Sequence, residues 1–213
     1  MEKILFETQY FPPIQFFTKW LNGAEIVIEG HENYQKRSYR NRMVIMGPYG
    51  YYPLSIPLKK GKNEKQPITK TLISYNENWE LKHWKAIMSC YGSSPYFEHY
   101  EHLIEPLFLK GHRYLFDLNM EILETLKPIL GFDNKISISE NYQKSEEVTG
   151  EDFRNKIRPV ERLSEYDENF LPKEYNQVFA YKHGFLENLS ILDLIFNCGP
   201  EARLVLRDSF SKS

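Results

Sequence analysis

Cysteine is scarce in this sequence, and long apolar runs are missing. The 213 residues include two cysteines, Cys90 and Cys198, which lie far apart and in no metal-ligand spacing, a pattern that suits a reducing compartment. No window approaches the roughly 18 consecutive apolar residues that a membrane-spanning helix needs. The opening residues, MEKILFETQYF, lack the basic region and apolar core of a secretory signal peptide. We therefore expect a cytoplasmic protein without a membrane span.

An excess of either charge is also lacking. The 27 lysine and arginine residues face 29 aspartate and glutamate residues, for a formal net charge of −2. A near-neutral net charge argues against a protein that coats nucleic acid without sequence preference, so any site for an anion must be local. The sequence shows no glycine-rich phosphate loop, nucleophile elbow or protein-kinase signature. Function must therefore be sought in less familiar motifs.

Apolar residues are plentiful enough for a large core. Hydrophobic residues make up 41% of the chain and aromatic residues 15%. At this length the composition predicts one domain that spans residues 1–213.

The first thirty residues predict a βαβ unit. Residues 4–6 and 24–28 are typical of short strands, and the apolar residues between 14 and 21 recur at helical spacing. Such a unit favours a parallel pair of strands with a right-handed crossover. Ligands of open α/β sheets bind outside the carboxyl ends of the strands. We therefore expect the loops at residues 7–13 and 31–42 to face one crevice.

The middle of the chain predicts a hairpin followed by helices. Residues 43–58 are typical of a β-hairpin around a Gly-Pro-Tyr-Gly turn, and residues 71–75 of another short strand. Residues 79–131 carry three apolar stripes at helical spacing. The sequence thus predicts an α/β single domain, with the βαβ unit in a mixed sheet with the hairpin, then a helical layer and a C-terminal capped helix.

The last third of the chain begins with a polar segment that we expect to cross the protein surface, called the polar crossing below. Residues 140–174 hold ten acidic residues and few large apolar ones, which predicts a surface crossing or lid. A capping box at Thr149 and Asp152 predicts one short helix there, with Phe153 and Ile157 on its apolar face. A second capping box, Ser190 with Asp193, predicts the C-terminal helix.

The most distinctive stretch is residues 31–42, HENYQKRSYRNR. It has four basic side chains and one acidic one, a local charge of +3 before His31 is counted, with two tyrosines and two asparagines, Asn33 and Asn41, between them. Guanidinium and ammonium groups donate charge-assisted hydrogen bonds to phosphate or carboxylate. The stretch therefore predicts a local anion site, and a solvated basic turn is the alternative.

Other reactive side chains have structural alternatives. His83 lies at the start of the first long helix, where it would act as a general base or be a half-buried structural histidine. His99 and His102 lie on the same face of a helix, at a spacing that permits zinc binding. A solvent-exposed position on the flank of the helix is the favoured alternative, and we predict no metal site. Cys90 is more typical of a buried structural thiol than of a nucleophile.

Several motifs together resemble the WbqC-like family of bacterial proteins. TQYFPP is similar to that family's HQPNYLPW-type opening, with Phe6-Glu7 in place of His-Gln and Pro13 in place of Trp. The Ser-Gly segment of longer members is missing, so the chain resembles the short form. The matching residues span nearly the whole chain: Gln9, Tyr10, Pro12, Tyr34, Lys36, Ser38, Asn41, Arg42, Pro57, Trp79, Lys82, His83, Tyr91, Pro95, Phe97, Ser190, Asp193, Asn197 and Gly199.

The resemblance implies an acyl- or aminoacyl-transfer role on a phosphorylated or nucleotide-linked sugar in surface polysaccharide biosynthesis. The phosphates would be held by Lys36, Arg40 and Arg42, with an acid or base nearby. The expected catalytic residues are Glu7 and His83, and the expected ligand-binding residues are Gln9, Tyr10, Tyr34, Lys36, Asn41 and Arg42. No cofactor or oligomeric state is implied. A non-catalytic anion- or nucleotide-binding protein is the alternative, and RNA binding through the basic stretch is disfavoured by the net charge.

Overall fold

The computed structural model describes residues 2–59, 66–159 and 167–211. Within these ranges the strands are β1 (Lys3–Glu7), β2 (Glu25–Glu29), β3 (Arg42–Gly47), β4 (Gly50–Ser55), β5 (Ile136–Ile138) and β6 (Glu151–Asp152). The helices are α1 (Ile14–Thr18), α2 (Trp79–Tyr91), α3 (Phe97–Leu109), α4 (Leu115–Ile129), α5 (Ala180–His183), α6 (Ile191–Cys198) and α7 (Ala202–Asp208). The predicted α/β class is confirmed.

The predicted βαβ unit is confirmed as well. β1 and β2 pair in parallel, from Lys3 opposite Glu25 to Glu7 opposite Glu29. Because side chains alternate across a strand, Phe6 points to the opposite face from Glu7. Its ring packs 4.3 Å, between centroids, from the ring of Phe16 on α1. The apolar face of the pair is thus covered by the helix, and the two glutamates lie on the other face.

The main sheet has four parallel strands in the order β5-β2-β1-β6. The chain proceeds from β1 outward to β2 and β5, and then returns to the other side of β1 as β6. The strand order therefore reverses between β1 and β6. In open α/β sheets this reversal opens a crevice at the carboxyl ends of the strands.

A glycine makes the short strand β6 possible. Gly150 has φ +130° and approaches β1 so closely that a Cβ atom there would overlap the Lys3 carbonyl oxygen. The predicted helix after residue 149 is wrong. Asp152 belongs to the strand, and its side chain accepts hydrogen bonds from Arg154 instead of capping a helix. Part of the polar crossing is therefore an edge of the sheet.

The predicted hairpin forms a sheet of its own and does not share a mixed sheet with the βαβ unit, as the sequence had suggested. β3 and β4 pair antiparallel from Arg42 opposite Ser55 to Gly47 opposite Gly50, apart from the parallel sheet. The strand predicted at residues 71–75 is wrong. That segment makes only isolated bridges, such as Ile73 to Leu58.

The helical layer closes the core. α3 packs against both α2 and α4, and α6 packs against α1, α3 and β3. The buried apolar residues form one cluster that runs from the sheet through these helices. Trp84 on α2 stacks on Phe97 of α3, which in turn contacts Phe196 of α6. No helix in the described part of the chain is long and apolar enough to cross a membrane.

Helix α6 is the capped helix that the sequence predicted near the C-terminus, and one of the two predicted residues caps it. The Ser190 hydroxyl accepts a hydrogen bond from the backbone N–H of Leu192 at 3.4 Å. The predicted capping role of Asp193 is wrong, because its fully buried carboxylate accepts hydrogen bonds from the hydroxyls of Tyr91 (2.8 Å) and Tyr175 (2.5 Å). Burial raises the pKa of Asp193 to about 6.

Candidate functional site

Two buried glutamates lie side by side at the carboxyl edge of the parallel sheet. Glu7 ends β1, Glu29 ends β2, and the two are register partners with no exposed surface. Burying two neighbouring carboxylates without partners would be strongly unfavourable. Their surroundings must therefore supply positive charge and hydrogen-bond donors.

Arg154, which follows β6, compensates Glu29. Its Nη1 donates to Glu29 Oε2 at 3.0 Å, while Nε and Nη2 donate to Asp152 at 3.0 and 2.7 Å. Glu29 Oε1 accepts from the Ser139 hydroxyl at 2.7 Å and from the His31 backbone at 2.8 Å. The hydrogen bonds to Asp152 raise the pKa of Arg154 by more than burial lowers it. A polar row thus crosses the sheet edge from β5 to β6.

Arg40 supplies a second buried guanidinium. Its Nε donates to Glu32 at 2.8 Å and its Nη2 to the other Glu32 oxygen. Burial lowers the pKa of Arg40, but attraction to Glu7 and the bond to Glu32 more than offset this, so the pKa is raised and the charge persists. The remaining nitrogen, Nη1, is buried and has no hydrogen-bond partner among the described residues. Arg40 therefore has one donor left for a ligand.

Asn155 joins Glu7 to Arg40. Its backbone N–H donates to Glu7 Oε2 at 2.7 Å, and its side-chain oxygen accepts from Arg40 Nη2 at 3.0 Å. Its carbonyl accepts from Arg158 Nε at 2.6 Å. Asn155 has φ +62°, in the left-handed region that asparagine enters more readily than most residues. This conformation directs the backbone N–H of Asn155 to Glu7 and its side-chain oxygen to Arg40.

A small cavity lies where these residues meet. It has a volume of about 20 Å³, which is room for roughly one water-sized group. Glu7, Arg40 and Asn155 line it, together with Lys36 and Arg158. Glu7 ends β1 and Asn155 follows β6, so the cavity lies at the reversal of the strand order, where ligands of α/β sheets bind.

A larger cavity adjoins it beyond the Glu32–Arg40 pair. Its volume is about 390 Å³, within the usual range for small-molecule sites. Glu32 and Arg154 form its buried wall, and Tyr142 lines its exposed side. Asn155 and Gln35 line both cavities, so the two are neighbouring compartments of one site.

The structure brings together some of the residues expected from the sequence. Glu7 and Lys36 line the small cavity, and Gln9 supports it, because its side-chain nitrogen donates to Glu7 Oε1 at 2.9 Å. Lys36 is exposed at the rim. The two loops of the βαβ unit therefore meet at one crevice through these three residues.

His83 and Tyr10 lie elsewhere, in the core. The Tyr10 hydroxyl is 3.0 Å from His83 Nδ1, and the His83 ring also bonds to the backbone of Ser55. Burial lowers the pKa of His83 to about 4, so the imidazole is neutral near pH 7. His83 is not among the residues that line either cavity.

Tyr34, Asn41 and Arg42 fix the start of the hairpin. Tyr34 donates to the Asn41 side-chain oxygen at 3.0 Å, and Asn41 donates to the Ile56 carbonyl at 2.8 Å. Arg42 Nε donates to the Ser55 hydroxyl at 3.2 Å. These three residues do not line the two cavities, although they belong to the basic stretch.

Sequence reasoning missed several residues of the site, among them Glu29, Glu32, Arg154, Asn155 and Arg158. The two acids lie within four residues after the predicted second strand, and that position was a usable signal. The other three lie in the polar crossing, where no local pattern indicates a strand of two residues.

Other candidate clusters add no metal site. The described residues contain no group of three or more His, Cys, Asp or Glu side chains placed to hold a metal ion. Burial raises the pKa of Cys90, and that of Cys198 to about 12, so both are protonated thiols near pH 7.

The fold and site define an α/β protein with a polar crevice at the strand-order reversal. The family model of the WbqC-like protein family matches residues 8–165, which is most of the chain. The protein belongs to that family. It is also 27% identical over 234 residues to the uncharacterized protein Rv1507c of Mycobacterium tuberculosis, an alignment that covers 97% of this chain and 98% of the relative. No solved structure matches the chain.

Proposed function

We propose that this protein is a group transferase, of the acyl- or aminoacyl-transferase type, that acts on a phosphorylated or nucleotide-linked sugar in surface polysaccharide biosynthesis. One observation supports this above others. Glu7 and Arg40 line the same small cavity at the strand-order reversal, and Arg40 Nη1 is buried without a hydrogen-bond partner among the described residues. A base and a cationic donor in one place are what transfer to an amine requires.

Glu7 serves as the general base. Gln9 and Asn155 each donate to one of its oxygens, and each carboxylate oxygen has a further lone pair. Glu7 takes the proton of a substrate amine as the nitrogen attacks the acyl carbon of an activated ester or thioester. The new C–N bond forms, the bond to the leaving group breaks, and the leaving group departs with the electron pair and receives the proton.

Arg40 stabilises the negative charge that develops on the acyl oxygen. Its guanidinium is held by Glu32 and Asn155, so it needs no rearrangement to donate through Nη1. The small cavity admits about one oxygen-sized group, which matches a single oxyanion rather than a whole phosphate. Lys36 and Arg158 hold the phosphate at its rim.

A cytoplasmic setting is part of the proposal. The two cysteines, Cys90 and Cys198, are both free thiols. Free thiols are usual in a reducing compartment.

One observation favours a second candidate, a non-catalytic anion-binding protein. Both oxygens of Glu7 already accept hydrogen bonds within the protein, which also suits a purely structural carboxylate. RNA binding gains no such support, because Arg40 of the basic stretch is buried in a pair with Glu32.

A ligand screen with matched variants tests the proposal. Nucleotides, nucleotide sugars and acyl thioesters are screened by thermal shift on the wild type, Arg158→Ala and Arg42→Ala. We expect a nucleotide-sugar hit that Arg158→Ala loses and Arg42→Ala retains, because Arg42 does not line the cavities. A hit lost only in Arg42→Ala would contradict the proposed site.

Turnover separates the two candidates. The bound sugar is incubated with activated acyl donors, and the product is sought by mass spectrometry. Glu7→Gln should retain the ligand but form no product. Binding without product from any donor in the wild type would favour the non-catalytic candidate.

A further inference from the structure

We infer that the larger cavity binds the uncharged sugar ring of the ligand, while the rim of the small cavity binds the anionic group. This inference deepens the proposed function and rests on it. The two cavities share Gln35 and Asn155 as lining residues, so one ligand reaches both.

The two cavities differ in charge. The small cavity is lined by four cationic side chains and one carboxylate, a formal charge of +3: Lys36, Arg37, Arg40, Arg158 and Glu7. The larger cavity has one carboxylate, Glu32, and one guanidinium, Arg154, for a formal charge of zero. An anion therefore gains more at the small cavity.

The charges of the larger cavity are also occupied within the protein. Glu32 accepts two hydrogen bonds from Arg40. Arg154 donates to Glu29 and Asp152 through Nε, Nη1 and Nη2. The charged groups of the buried wall are thus paired within the protein, so the wall does not act as a phosphate receptor.

The remaining lining residues suit hydroxyl groups. Asn33 and Gln35 are exposed amides, and Ser145 adds a hydroxyl. Amides and hydroxyls both donate and accept hydrogen bonds, as do the hydroxyls of a sugar. A polyol can donate and accept a hydrogen bond at each of its hydroxyls, so these lining residues favour a polyol over a phosphate.

An aromatic ring completes the cavity. The Tyr142 side chain is 57% exposed, and the Arg154 guanidinium lies 5.2 Å from its ring centroid. This contact orients the ring at the cavity, and the part of the ring that stays exposed is available for the apolar C–H groups of a pyranose. The volume of about 390 Å³ accommodates such a ring with its substituents.

Saturation-transfer difference NMR on the full chain tests this division. The probes are methyl hexopyranosides, which carry no phosphate, and uridine, which offers a base for stacking. Binding of inorganic phosphate is followed separately by calorimetry. The variants are Tyr142→Ala, Asn33→Ala and Arg158→Ala, and Tyr181→Ala is the control, because Tyr181 is also an exposed tyrosine but lines neither cavity.

We expect at least one methyl hexopyranoside to bind, and Tyr142→Ala to weaken it by about tenfold, the effect of losing one good contact. Asn33→Ala should weaken it too, and Tyr142→Phe, which keeps the ring, should not. Tyr142→Ala should leave phosphate binding unchanged, whereas Arg158→Ala should weaken phosphate and leave the hexopyranoside bound. Since Tyr142 and Asn33 are exposed, their variants should fold.

Three results would overturn the inference. Phosphate binding without any hexopyranoside would refute the sugar cavity and leave the proposed function standing. Uridine binding at Tyr142 in place of hexopyranosides would assign the cavity to a base. Failure of phosphate and of every hexopyranoside to bind would refute the proposed function together with the inference.

Discussion

Replacing Arg154 by methionine should destabilise the protein strongly. Arg154 is almost fully buried, and its Nη1 neutralises Glu29, which has no exposed surface and lies beside Glu7. Methionine keeps much of the side-chain volume but leaves Glu29 without its cationic partner. Removing one member of a buried ion pair costs about 3–5 kcal/mol. Because Asp152 also loses its partner but is more exposed, most of the loss should come from Glu29.

A double variant isolates this effect. Glu29→Gln with Arg154→Met replaces the buried pair by a neutral amide and an apolar chain, so most of the lost stability should return. Urea unfolding followed by circular dichroism gives the four free energies of the cycle. If Arg154→Met loses less than about 1 kcal/mol, or if adding Glu29→Gln lowers stability further, the electrostatic account of this edge is refuted.

Three further predictions concern other parts of the fold. Since burial raises the pKa of Asp193 from 3.8 to about 6, its contribution is present at low pH and lost as pH rises from about 4 to 6. The unfolding free energy of the wild type minus that of Asp193→Asn should therefore fall by about 3 kcal/mol between roughly pH 3 and pH 7, a range that spans both pKa values, and a flat difference would contradict the assignment. Gly150→Ala should lower the melting temperature in differential scanning calorimetry by several degrees, because its Cβ overlaps the Lys3 carbonyl oxygen; an unchanged temperature would show that β6 tolerates a side chain. Glycine tolerates φ +62° and keeps the N–H that donates to Glu7, so Asn155→Gly should retain more ligand affinity than Asn155→Ala in the thermal-shift assay. Equal losses of affinity in the two variants would mean that only the side-chain oxygen of Asn155 matters.

The parts of the fold with strong local patterns were predictable from the sequence. The first two strands and the helix between them have apolar residues at the right periods, and Asn22-Gly23 ends the helical segment with Gly23 at φ +70°. The position of Glu7 at a crevice followed from strand topology alone. Such inferences succeed because periodicity and strand direction are local properties.

The rest of the site depends on distant contacts. β6 has two residues, and pairing with β1 rather than any apolar period makes it a strand. Arg154 and Asn155 therefore looked like surface residues. His83 is the opposite case, because its helix position suggested the crevice, whereas its ring bonds to Tyr10 and to the backbone of Ser55 in the core. Asp193 matched a cap by spacing, but two tyrosines from other segments determine its role.

The brevity of β6 has a consequence for amide hydrogen exchange. The N–H of Phe153 is held by the Leu5 carbonyl at 2.8 Å, and the N–H of Asn155 by the Glu7 carboxylate at 2.7 Å. A short edge strand opens with a lower free energy than the central strands. Those two amides should exchange faster than the amides of β1 and slow down when a ligand fills the crevice. They are thus a built-in reporter of ligand occupancy, readable by mass spectrometry before any substrate has been turned over.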